Sequence, residues 1–320
     1  MRFLFSLLML AAGTPAMADE HPGMATPWQL NLQAPVTPVM QKLYDLHSGL
    51  LILIIAISLF VLALLGYVCV RFSAKNNPHP SRTTHNTLIE IIWTTVPILI
   101  LIGIAIPSLR YHYFMDRAVD PTMTLKVTGY QWYWGYEYPD QGGIAFESHI
   151  FPNEQDKNRK VSLEEDRAQL KGEPRLLTVD NPAIVPVGAT VRVLITGNDV
   201  IHSWSVPAFG VKLDAIPGRI NETWFKATQT GTFRGQCSQL CGVWHGFMPV
   251  VVKVVPQEEF DAWVVAQKKA QNISDAPAKP DAAAQPAGDT KAASPAAAPA
   301  KDAGAAKEPA AKEPAAQEKK

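Results

Sequence analysis

Residues 237–248 read CSQLCGVWHGFM: two thiols four apart, an imidazole four residues further on, and a thioether three after that. Thiolate, thioether and imidazole together suit copper. Zinc accepts two cysteines and a histidine but seldom a methionine. A mononuclear blue-copper site uses one cysteine, two histidines and a weak axial methionine, so the second cysteine here is an addition. Two thiolates can bridge two metals, which points to a dinuclear copper site and calls for a second histidine. A disulfide between Cys237 and Cys241, or a structural zinc site, would use the same thiols.

Most of the other histidines are poorly placed for this. His21 lies near the N-terminus, and His47, His79, His85 and His112 lie at the ends of apolar runs or between them. His149 and His202 remain. His202 sits in NDVIHSWSVPAFGVKLDAIPGR, at the end of an expected strand and before a turn-rich stretch. Strand ends and their loops converge at one pole of a β sandwich, so His202 can reach the 237–248 loop, whereas His149 lacks such a context. The third cysteine, Cys69, falls inside an apolar run and reads as a small apolar filler.

The elements that must position these residues follow from hydropathy. Residues 1–18 have an early Arg2, an apolar run and Ala16-Met17-Ala18, the pattern of a cleaved secretory signal. Residues 19–47 then form a short segment outside the membrane. Residues 48–70 carry no charge, and 87–109 carry one acid, Glu90. Each is long enough to cross the hydrocarbon core of a bilayer, about 30 Å, as a helix. The loop 71–86 holds Arg71, Lys75 and Arg82 and no acid, which places it in the cytoplasm and both mature termini on the other face. Secretory signal and loop charge agree on one topology, a transmembrane hairpin with everything after it on the side away from the cytoplasm.

From 115 to 268 short β-branched and aromatic runs alternate with turn residues, the pattern of an antiparallel β sandwich. A charged stretch, 153–173, interrupts it as a surface insertion, and 257–268 form a closing helix. Residues 270–320 are rich in Ala, Pro, Lys, Glu and Asp with nothing aromatic to bury, and are expected to be disordered. The chain is formally neutral over 320 residues, so charge gives no reason to expect a nucleic-acid partner.

Taken together, GYQWYWGYEY (129–138), DVIHSW (199–204), KLDAIPGR (212–219) and CSQLCGVWHGFMP (237–249), after such a hairpin, closely resemble subunit II of the haem-copper cytochrome c oxidases, over about residues 36–265. The resemblance implies a transmembrane hairpin followed by a cupredoxin-like Greek-key sandwich. It implies a binuclear copper centre, CuA, on His202, Cys237, Cys241, His245 and Met248, with the backbone carbonyl of Gln239 as a further ligand. The partners it implies are oxidase subunit I of the haem a, haem a3-CuB type, subunit III, and cytochrome c as a separate electron donor; no C-x-x-C-H is present for a fused cytochrome domain.

Further roles are implied residue by residue. Aromatics as dense as those of 129–138 are by themselves strand packing, but Trp132 matches the tryptophan that takes electrons from cytochrome c. Glu90 matches the glutamate at the cytoplasmic mouth of the proton channel in subunit I named the K pathway. An acidic face is expected to meet the lysine ring of cytochrome c. Residues 116–261 carry 18 acids against 14 bases, a mild excess of four, and Asp199, Asp214, Glu137 and Asp140 are the docking candidates. Position 239 departs from the family, where a glutamate also helps to bind Mg²⁺ at the subunit I interface. Gln239 keeps the carbonyl but offers a neutral amide to a hard cation, so that site is expected to be weakened or absent. The alternative is a copper-free quinol-oxidase subunit II, a binding and structural module with the same hairpin and sandwich, against which the five ligand side chains argue. A nitrous oxide reductase would need a large propeller domain, and a copper chaperone would present methionine-rich or exposed thiols.

Overall fold

The computed structural model describes residues 23–116, 118–152, 155, 165, 168 and 170–273. The expected signal segment, most of the charged insertion and nearly all of the tail lie outside these residues.

Two long helices come first. Helix α1 spans Pro38–Arg71. Thr37 caps it by accepting a hydrogen bond from Met40 N at 2.9 Å, and Pro38 takes the first turn, where its missing N–H costs nothing. Helix α2 spans Thr87–Asp116, with Pro97 and Pro107 inside. Asn86 accepts from Ile89 N at 3.2 Å, and Glu90 complements the positive helix end. Both helices are long and apolar enough to cross a membrane. Their apolar side chains point outward, as a lipid or protein environment requires. Helix α1 begins well ahead of the apolar run because the capped first turn packs on the sandwich instead of on lipid: Val39 and Met40 are buried.

Among the described residues the sandwich has ten strands: β1 Met123–Tyr130, β2 Tyr133–Tyr138, β3 Ile144–Ser148, β4 Ala183–Pro186, β5 Val191–Gly197, β6 His202–Val206, β7 Val211–Ala215, β8 Asn221–Phe225, β9 Gly231–Gln236 and β10 Pro249–Val255. One sheet runs β3-β2-β1-β5-β8, a second β4-β10-β9, and β6-β7 form a ribbon. Strict alternation puts Met123, Leu125 and Val127 of β1, Trp134, Tyr136 and Tyr138 of β2, and Val191, Val193 and Ile195 of β5 inside. The expectation of a purely antiparallel sandwich needs correcting, because β1 pairs with β5 and β4 with β10 in parallel. Each of those pairs is separated in sequence by other strands, and such long connections can bring a strand back in the same direction, whereas a tight turn cannot.

Two of the buried tyrosine hydroxyls are matched inside this core. Tyr138 Oη donates to Ile184 O at 3.0 Å and accepts from Ile184 N at 2.9 Å. Trp204 Nε1 donates to Tyr136 Oη at 3.3 Å. Helix α3, Gln257–Ala270, closes the sandwich by laying Trp263 on Tyr138 and Phe146, with Phe260 stacked on Trp263. Acids in its first turn and lysines in its last complement the helix dipole.

The sandwich is fastened to both long helices. Val36 N donates to Ala208 O at 3.3 Å, and Thr228 N donates to Val36 O at 2.9 Å. Thr37 Oγ1 donates to Phe209 O at 2.7 Å. Gly210 adopts a φ of +71°, a conformation that favours glycine. A Cβ there would lie 2.9 Å from Met40 Cα. On the other helix, Trp224 Nε1 donates to Phe114 O at 3.1 Å and the two rings meet edge-on. Lys42 Nζ lies 4.9 Å from the Phe114 ring centre, within cation–π range.

Candidate metal centre

Strands β9 and β10 form the hairpin that carries the 237–248 loop. Gln236 pairs with Pro249, and Cys237 N donates to Met248 O at 3.0 Å, so the neck of the loop is closed by backbone bonds. Strand β6 brings His202 to it from the neighbouring ribbon, and Ser238 N donates to Ser203 O at 3.0 Å across the gap. This close approach needs glycine, which can let one backbone lie against another. A Cβ on Gly235 would fall 1.7 Å from Ser205 O. His202 starts β6, the end at which the ribbon meets the loop.

The donor atoms lie in a row. His202 Nδ1 is 4.0 Å from Cys237 Sγ, Cys237 Sγ is 3.9 Å from Cys241 Sγ, and Cys241 Sγ is 3.5 Å from His245 Nδ1. Each sulfur therefore has its own imidazole. The sulfurs are too far apart for a disulfide, which needs about 2.0 Å, and both cysteines are free. A metal at about 2.3 Å from each sulfur fits between them. His202, Cys237 and Cys241 are all buried and place their ligand atoms within 4.8 Å of one another. His245 is half-buried at the rim, and Met248 is buried at the neck. The Gln239 carbonyl lies 3.3 Å from Cys237 Sγ while the residue's side chain faces outward. A soft, polarizable donor set suits copper and ill suits a hard oxygen-seeking cation.

The ring of His202 is walled in. A Cβ on Gly129 would meet its Cδ2 at 2.7 Å, and Trp134 lies edge-on to it at 5.9 Å. Asp199 Oδ1 holds its Nε2 at 2.8 Å, and Asp199 also accepts from Val200 N and Gln131 N. Burial raises the carboxyl pKa of Asp199, but those three hydrogen bonds outweigh it and hold the group below the ordinary carboxylate range. Burial likewise works against a charge on His202, yet its contacts with Cys237 and Asp199 leave its pKa above the usual imidazole value. Burial pushes both thiols up. At Cys237 the neighbouring His202 and the backbone at Gln239 and Ser203 reverse this, whereas at Cys241 the charge of Cys237 adds to it.

The structure brings Trp132 against the same loop, half-buried, with Nε1 donating to Cys241 O at 3.1 Å. Gln131 Nε2 donates to the same carbonyl at 2.8 Å. Asp214 sits half-buried on β7 opposite Ser203, one step along the ribbon from His202. Glu137 is further along β2 and forms an ion pair with Lys126 at 2.7 Å; Asp140 accepts from Thr124 N at 2.6 Å. Glu90 lies in the first turn of α2, remote in sequence and element from the loop. His149 stacks on Tyr133 and bonds Glu147 at 3.1 Å instead of joining the metal loop. Sequence reasoning missed Gly129 and Gln131, although both flank Trp132 in a stretch already singled out.

Two family descriptions match this chain: cytochrome C oxidase subunit II, transmembrane domain, over residues 25–111, and cytochrome C oxidase subunit II, periplasmic domain, over residues 123–255. A probable cytochrome c oxidase subunit 2 of Rickettsia felis is 49% identical over 243 residues, 76% of this chain and 73% of the relative. Cytochrome c oxidase subunit 2 of Cereibacter sphaeroides is 44% identical, covering 80% of this chain and 87% of the relative. The crystal structure of the periplasmic domain of subunit II of the cytochrome oxidase of Bradyrhizobium japonicum, 47% identical, covers 49% of this chain and 100% of that domain with a TM-score of 0.42. With matches running through both the hairpin and the sandwich, the chain belongs to the cytochrome c oxidase subunit II family and is a subunit of that oxidoreductase.

Proposed function

We propose that this chain takes electrons from cytochrome c at a binuclear copper centre and hands them to haem a of subunit I, where O2 is reduced to water and protons are pumped. His202, Cys237, Cys241, His245, Met248 and the Gln239 carbonyl hold the metals. Copper held by these residues would supply a one-electron relay. The observation that carries this reading is the row of donors, two unbonded sulfurs 3.9 Å apart with one imidazole nitrogen beside each. Asp199 orients His202, the hairpin neck fixes Cys237 and Met248, and the buried walls exclude water, so the chain's part is to hold one geometry in both redox states.

Trp132 is the group that meets the donor, because its indole bonds directly to the main chain of Cys241. Asp199 and Asp214 near the loop, with Glu137 and Asp140 further off, supply the acidic face for the basic ring of cytochrome c. Glu90, at the first turn of α2, takes up protons at the cytoplasmic side for subunit I, with which the outward apolar faces of the hairpin pack. Subunit III completes the complex in the inner membrane, with the sandwich on the periplasmic side. Gln239 gives a bound Mg²⁺ only a neutral oxygen and leaves that site weak or absent.

The test is copper loading of the full-length chain in detergent, with metal analysis and electron paramagnetic resonance. Two coppers per chain and hyperfine splitting shared equally over both nuclei are expected. One copper with a mononuclear spectrum, or none, would overturn the reading in favour of a copper-free module of the quinol-oxidase type.

A further inference from the structure

Gln155 lies in the charged segment after β3, and its side-chain amide reaches the metal loop as Gln131 does, from a different stretch of chain. Its Nε2 donates to the main-chain carbonyl of Trp132 and to that of Phe247, both at 2.9 Å. The first carbonyl belongs to the residue whose indole bonds Cys241 O. The second lies in the short 3-10 turn His245–Phe247, directly before Met248. One planar amide nitrogen thus uses both of its protons on two backbone segments that no strand pairing joins among the described residues.

The segment is anchored at its far end as well. Arg234, buried on β9 three residues ahead of Cys237, forms an ion pair with Glu173 and donates from Nε to Leu177 O at 3.1 Å. Phe151 N donates to Thr178 O at 2.9 Å, and Asp180 N donates to His149 O at 3.0 Å, which closes the base of the excursion. Gln155 is therefore presented from a segment whose base is held.

We propose that Gln155 is a positioning residue for electron uptake: it ties the turn that carries Trp132 to the turn that carries His245 and Met248, and so keeps the indole on the Cys241 carbonyl. The proposal rests on the reading of Trp132 as the group that meets cytochrome c. Removing the amide leaves two partly buried carbonyls without this donor and frees the two turns to move independently. Among the described residues the turn is then tied to the loop only by the Trp132 and Gln131 bonds to Cys241 O and by the Asp199 bond to Gln131 N, and the fraction of chains with the indole in place falls.

The test compares Gln155→Leu, of similar length but without a donor, with Gln155→Lys, which restores one. In the metal-free full-length chain, hydrogen–deuterium exchange of the peptides covering 129–134 and 244–248 is expected to rise together by about fivefold in Gln155→Leu, the factor that one lost hydrogen bond gives, with β10 unchanged. In the assembled oxidase the rate of electron transfer from a bound, photoreduced cytochrome c is expected to fall by a similar factor. The KM for cytochrome c and the copper content should hold in Gln155→Leu, and Gln155→Lys, whose added charge opposes a basic donor, should recover the exchange. Unchanged exchange and rate in Gln155→Leu, exchange raised throughout the sandwich, or exchange in the lysine variant no better than in leucine would each overturn the proposal. A wild-type oxidase that takes no electrons from cytochrome c would strike the functional reading of Trp132 instead, and the exchange measurement would still decide whether Gln155 couples the two turns.

Discussion

The carboxylate of Asp199 bonds Nε2 of His202 at 2.8 Å, on the edge of the ring opposite the Nδ1 that faces Cys237. That bond fixes both the tilt of the ring and which nitrogen is left for the metal. An acid that the family resemblance offers as a docking candidate here supports the ring proposed as a metal ligand.

Replacing that acid should therefore loosen copper. Asp199→Asn is expected to lower copper affinity by about 10- to 100-fold, the range for loss of a ligand's hydrogen-bond partner, measured by competition with a chelator. The acid limb of stability should change too. The Asp199 carboxyl is held below its ordinary range, so its contribution is present at neutral pH and is lost as pH falls through the lowered value. Between about pH 5 and about pH 3 the metal-free wild type should lose more stability than Asp199→Asn, as read by denaturant titration at each pH. An equal loss in the two would remove this role.

Gly129 sets how close β1 comes to the ring, since an added Cβ would run into His202. Gly129→Ala is expected to cost about 1–3 kcal/mol through overpacking, and to reduce copper per chain because the ring must turn. Thermal unfolding and metal analysis on the same samples check both. A stable variant with full copper would show that β1 yields without moving His202.

The two thiols should part company in alkali. Cys237 is pulled below its ordinary pKa, and Cys241 is pushed above it, by burial and by the thiolate at Cys237. As pH rises from about 6 to about 9 in the metal-free chain, a small alkylating reagent should label Cys237 first, with the Cys241 adduct lagging. Peptide mass spectrometry after timed quenching gives the order; labelling of Cys241 first would reverse it.

Much of this molecule is legible in the sequence because its signals are of the strong kind. Two uncharged or nearly uncharged runs of membrane length admit one interpretation. The ligand loop is continuous, so Cys237, Cys241, His245 and Met248 arrive together. What stayed hidden depends on groups that meet only when strands cross. Gly235 looks like any loop glycine until β9 lies on Ser205 of β6. Asp199, three residues from His202, carries no mark of whether it faces the ring or solvent. Gln155 is one amide in a polar stretch, and no periodicity points to it. The parallel pairings were hidden for the same reason, since alternation within a strand says nothing about the direction of its neighbour.

Gly210 is the narrowest point of the joint between sandwich and helix α1. Its positive φ disfavours any other residue, and an added carbon would meet the Met40 backbone. Gly210→Ala is expected to cost about 1–2 kcal/mol, the usual penalty for a side chain in the left-handed region. The loss should appear as a lower thermal midpoint with the copper spectrum intact, since the metal loop lies at other strand ends. A changed spectrum with an unchanged midpoint would contradict this.

That joint also bears on traffic. With Val36 and Thr37 stitched to 208–210 and 228, and Trp224 locked to Phe114, the sandwich is held in one place on the hairpin. An arm free to swing could ferry charge between distant stations. A platform bolted to its posts cannot, and under the proposed electron relay travel falls to the donor, which must arrive, deliver and leave. Throughput should then follow the donor's comings and goings, and with them the salt that screens its approach.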